Sequence, residues 1–157
     1  MAMEINRYQA DVLCLSETKL NGVSEETIPV RDSDNFYLFL NSGACDGSVD
    51  HEVGFMIGRR AQKALLAWDP VNPRIARLRL KGRLSNISII AVYAPTRAVT
   101  DADKDSFYTD LEITMQKCPK RDFLILAGDW NSRVGPKDPN IRYFWSIHVQ
   151  PAVLQWR

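Results

Sequence analysis

The sequence is sparing with the features that assign a protein to a class at once. Its 157 residues hold three cysteines, Cys14, Cys45 and Cys118, widely spaced and without a CxxC pair. An odd, scattered set excludes a disulfide framework and a cysteine zinc site. It reads as reduced thiols, so an intracellular location, nuclear or cytoplasmic, is expected. No apolar run approaches the roughly 18–20 residues that cross a bilayer, and the start MAMEINRYQA has no signal-type apolar segment, so no membrane partner is expected. The two histidines, His51 and His148, fall on no catalytic motif. Net charge is only +1, which neither requires nor excludes nucleic acid.

What is present is ordinary globular material, 45% hydrophobic and 25% charged, enough for one domain with a core. MEINRYQA (3–10) resembles a helix end and DVLCLS (11–16) a buried strand. The polar stretch 20–35, with Gly22 and Pro29, reads as a loop. FYLFLN (36–41), VGFMIG (53–58), KALLAW (63–68), IARLRLKG (75–82) and NISIIAVYA (86–94) read as strands, SGACDGSVDHE (42–52) as a Gly-rich connection. The short links 58–60, 69–73 and 82–85 suit hairpins. In IARLRLKG, Arg77, Arg79 and Lys81 alternate with apolar residues. They form either a solvated strand face or, together with Arg74, Arg83, Arg59, Arg60 and Lys63, a strip that meets phosphates. Phe107, Leu111 and Met115 recur every four residues, predicting a helix over 101–117 capped by Thr100 with Asp103 three residues on. The strand DFLILAGDWN follows, so helix and strand make a crossover connection.

LILAGDWNSRVG (124–135) opens the question of function. Its apolar run fits a strand buried on both faces. Gly128, Asp129 and Asn131 then make either a plain turn or a metal- and phosphate-holding strand end. Two other strands, LCLSETK and AVYAPT, end the same way. Phosphodiester cleavage needs such groups: a hard carboxylate for a divalent ion, an acid to orient water, and amide and phenol donors for phosphate oxygens.

The ordered motifs SETK, VGF, YAPT and GDWN resemble the endonuclease/exonuclease/phosphatase superfamily. The likeness is closest to endonuclease domains of RTE-type non-LTR retrotransposons and to craniofacial-development-protein-like relatives. It covers residues 4 to 140, taken as one domain (1–140) with a divergent tail (141–157). The resemblance implies an α/β fold, a partial two-sheet α/β sandwich. It implies magnesium, with manganese as the alternative, held by Glu17, and DNA as the partner, nicked to prime reverse transcription. Tyr93 matches the phosphate-facing tyrosine, and Thr96 stands where abasic-site nucleases carry Asn, a substrate contact. Asp129 handles the water or leaving group, and Asn131 binds the scissile phosphate. Two elements of the family pattern do not appear: a first strand ending in Asn (Asn6 lies in a helix-like segment) and a closing Asp-His pair. The chain therefore reads as truncated at both ends and as mostly one sheet, with an inner face for a homodimer to cover. Two alternatives to the nuclease stay open: a catalytically dead relic acting by binding or self-association, and a phosphoesterase of the same superfamily.

Overall fold

Alternating apolar side chains build eight strands in a computed structural model that describes residues 10–31, 33–45 and 51–131. In chain order these are β1 (Val12–Ser16), β2 (Val23–Pro29), β3 (Phe36–Ser42), β4 (Val53–Gly58), the single helical turn α1 (Arg59–Gln62), β5 (Leu65–Asn72), β6 (Ile75–Leu80), β7 (Ile87–Tyr93), the long helix α2 (Asp101–Gln116) and β8 (Phe123–Asp129). One four-stranded sheet has the order β1-β4-β3-β2 and the other β5-β6-β7-β8. All pairs are antiparallel except β7–β8, which run parallel with α2 as their crossover. Among the described residues no helix is long and apolar enough to cross a membrane.

Period-two alternation decides which side chains meet between the sheets. Val12 of β1, Leu40 of β3 and Val53, Phe55 and Ile57 of β4 face Ala76, Leu78 and Leu80 of β6 and Ile89, Ala91 and Tyr93 of β7. Phe55, Leu78 and Ile89 have no exposed surface, and each such side chain gains about 2 kcal/mol from burial. A surface ion pair contributes roughly 0–1 kcal/mol, so the layer between the sheets holds the sandwich together. Opposite-parity residues pack outward. Ile75, Ile90 and Val92 meet Phe107 and Leu111 of α2, while Leu13, Tyr37, Phe39 and Met56 form a separate cluster on the other sheet. α2 starts as expected: Thr100 Oγ1 accepts the Asp103 N–H at 3.2 Å.

Several sequence expectations are corrected. The chain does not supply mostly one sheet: two four-stranded sheets cover each other's inner faces. The stretch 20–35 contains β2, a largely exposed edge strand whose polar residues need no apolar alternation and whose Pro29 sits at its end. The link at 58–60 is no hairpin, because α1 carries the chain from one sheet to the other. β5 extends through Pro70 to Asn72 with irregular register, which an edge position tolerates, and the turn follows it. β8 ends its sheet's order, and Leu124, Ile125 and Leu126 are half-buried rather than fully enclosed. The helix-like 3–9, the middle of the Gly-rich connection (46–50), His148 and the tail 141–157 lie outside the described residues.

Candidate functional site

The same parity that fills the core also assembles the site. Tyr93 closes β7 in register with Ile89 and Ala91, so its ring turns toward the space between the sheets. β1 packs across β7 and β8, and Glu17 directly follows it. Tyr93 Oη donates a 2.5 Å hydrogen bond to Glu17 Oε1, joining residues 76 positions apart and linking one sheet to the other. That bond, with burial second, pushes the Tyr93 phenol above its ordinary value, so it stays a donor at neutral pH.

Asp129 sits opposite Tyr93 in the β7–β8 register. Its carbonyl accepts the Ala94 N–H at 2.8 Å, and its Oδ1 accepts the Asn131 N–H at 2.8 Å. Asn131 Nδ2 reaches back to the Ala94 carbonyl at 2.6 Å, so the GDWN and YAP segments are stitched together. Trp130 packs away with the α2-side cluster. Among the described non-glycine residues, positive φ occurs at Glu17 (54°), Lys19 (56°) and Asn131 (47°). Asn tolerates this conformation, whereas Glu adopts it at a cost of about 1–3 kcal/mol. Two candidate residues thus share an uncommon backbone.

Glu17, Tyr93, Asp129 and Asn131 therefore converge on one edge of the sandwich. Thr96 is exposed, its carbonyl accepts the Val99 N–H at 3.3 Å, and its side chain makes no hydrogen bond to the other four. Among the described residues no group of three or more His, Cys, Asp or Glu is arranged to hold a metal ion; the exposed carboxylates at this edge are Glu17 and Asp129.

Two further residues reach the site that motif reading did not place there. The His51 ring stacks on Tyr93, with centroids 5.9 Å apart and 21° between planes. The signal for it was the antiparallel pairing of the SETK and VGF strands, which sets Ser16 opposite Val53 and the residues flanking them side by side. The second is Arg74, a member of the basic strip. Its guanidinium stands 5.7 Å from the Tyr93 ring centroid and donates to the Tyr93 carbonyl at 3.2 Å. Burial lowers its pKa, yet a guanidinium stays charged at neutral pH. Two members of the strip are engaged within the fold: Arg77 pairs with Asp69 and Arg79 with Asp122.

No family model matches the chain. Two relatives named craniofacial development protein 2, from Tragulus javanicus and Bos taurus, are each 30% identical to it over 148 residues. The match covers 94% of this chain and 25% and 24% of theirs, so the chain spans about a quarter of the length of the curated relatives it matches.

Proposed function

We propose that this edge is the phosphodiesterase site of an endonuclease/exonuclease/phosphatase-type enzyme, of the kind found in RTE-type retrotransposon endonucleases, and that it nicks DNA. The hydrogen bond from Tyr93 to Glu17 carries the reading, because it fixes a carboxylate and a phenol beside the Asp129–Asn131 loop.

Each residue retains a group for the reaction. Glu17 Oε1 is engaged by Tyr93 while Oε2 is left to bind a cation. Such a carboxylate suits magnesium, which takes one or two carboxylates and keeps several waters, and manganese can substitute. A bound ion would supply charge neutralisation for the phosphate. Asp129 Oδ1 is held by the Asn131 N–H, which leaves Oδ2 to orient the attacking water or the leaving oxygen. Asn131 holds the Ala94 carbonyl with one amide N–H and lies against the Tyr93 phenol, where its amide can donate to a non-bridging phosphate oxygen. Arg74 adds a fixed positive charge behind Tyr93, and Thr96 offers an exposed hydroxyl to the DNA strand.

The test is nicking of supercoiled plasmid and an abasic-site duplex, with magnesium or with EDTA, by the chain and by Asp129→Ala. Magnesium-dependent nicking that falls by about 100-fold or more in the variant is expected. Equal activity in the variant would sink the assignment, and hydrolysis of p-nitrophenyl phosphate without nicking would favour the phosphoesterase alternative.

A further inference from the structure

A cavity of about 450 Å3 opens beside Tyr93, with His51, Glu52, Asn72, Arg74, Pro95 and Phe107 in its wall. Its size suits a nucleotide-scale ligand. Most polar groups around it are occupied. Asn72 donates to Asp110 Oδ2 at 3.0 Å and accepts the Arg74 N–H at 2.9 Å, Arg74 contacts Tyr93, and Asp103 accepts from the Thr100 hydroxyl. Glu52 is different. It is 1% exposed, and neither carboxylate oxygen has a hydrogen-bond partner; Nδ1 of the adjoining His51 also lacks one. A buried carboxylate without donors is unfavourable, and such a group is retained where something else supplies them.

We propose that Glu52 recognises an unpaired guanine seated in this cavity, next to the phosphate held at Tyr93; the inference rests on the nuclease reading above. Guanine presents two parallel donors, N1–H and the 2-amino group, which match the two oxygens of one carboxylate. Adenine and cytosine place a ring acceptor beside their single amino group, which repels the second oxygen. Thymine and uracil offer one N–H between two carbonyls. A bare cation fits less well, because Arg74 shares the wall and no metal-holding cluster exists among the described residues. Pro95 and Phe107 give the base an apolar wall, and the Glu52 carboxylate, whose oxygens are buried, must turn about its side-chain torsions to reach the ligand. The guanine edge that Glu52 reads is engaged in a duplex, so the substrate is a strand whose guanine is extrahelical or single-stranded.

The test titrates the full chain in EDTA with GMP, AMP, CMP and UMP by calorimetry, alongside Glu52→Gln, whose amide replaces one acceptor with a donor. The same two preparations are assayed for magnesium-dependent nicking, with cut sites mapped. GMP is expected to bind about 10-fold or more tightly than the others, the discrimination of one bidentate pair, and Glu52→Gln to bring it within about twofold of AMP. Equal binding of the four nucleotides, no binding of any, or a guanine preference that survives in the variant overturns the proposal. The nucleotide panel on the parent chain decides the matter even if the variant does not fold. Nicking without guanine preference removes the base pocket and leaves the nuclease standing. A Glu52-dependent guanine preference without nicking supports the pocket and removes the nuclease.

Discussion

Replacing Gly128 by alanine probes whether the strand pairing beside the site is as tight as the structure requires. Gly128 has φ +142°, and a Cβ there would lie 1.9 Å from the Val92 carbonyl oxygen and 2.9 Å from Val92 N and C. The obstacle is backbone of the neighbouring strand β7, which cannot swing aside as a side chain would. Ordinary contact begins at 3.4 Å, so β8 would have to retreat by 1.5 Å, directly before Asp129. Overpacking of this kind costs about 1–3 kcal/mol, and an L residue at such a φ costs about 1–3 kcal/mol more. A total near 4 kcal/mol corresponds to a fall in Tm of about 8–16 °C for a chain of this size. Differential scanning calorimetry gives the shift, and plasmid nicking at a temperature where the variant remains folded gives the functional cost. A variant melting within about 2 °C of the parent would show that the close approach of β8 to β7 is wrong.

Burial between the sheets pushes the Cys14 thiol up to about 12, whereas Cys45 is exposed. Iodoacetamide at pH 8 should label Cys45 in the native chain and reach Cys14 only after unfolding in guanidinium, as read by peptide mass spectrometry; comparable native rates would contradict the placement of β1. The Arg79 hydrogen bond, then that from Ser88, holds the Asp122 carboxyl below the usual carboxylate range. A depressed folded-state value stabilises above the unfolded pKa and is lost as pH falls through the folded one. Urea midpoints at pH 7 and pH 3 should therefore drop more for the parent than for Asp122→Asn, and an equal acid loss in both would refute that pairing.

Much of this was legible because strong local periods survive folding. VGFMIG forms β4 over its full length, and the four-residue recurrence of Phe107 and Leu111 forms the buried face of α2. β2 was not legible, since an exposed edge strand carries little apolar pattern to read. The division into two sheets was hidden too, because α1 is as short as a hairpin link and a strand's own residues do not say which neighbour it pairs with. For the site, motif order supplied Glu17, Tyr93, Asp129 and Asn131. His51 and Arg74 needed the register: Ile75 opposite Val92 sets Arg74 beside Tyr93, and Ser16 opposite Val53 brings His51 to the same edge. Glu52 reads as an ordinary charged residue in a Gly-rich connection, and only its burial sets it apart.

The bond between Tyr93 and Glu17 behaves like the mark of a vernier, with one scale engraved on each sheet. Glu17 moves with β1 and Tyr93 with β7, so neither strand alone fixes their separation. A slip of one sheet over the other by a single residue is about 3.3 Å, longer than the 2.5 Å bond itself. Such a slip would leave every ladder intact and most of the apolar layer still buried, yet the two marks would no longer coincide. The candidate site can therefore come apart while the chain remains folded, and the quantity that decides between those states is the alignment of two surfaces rather than the presence of any one residue.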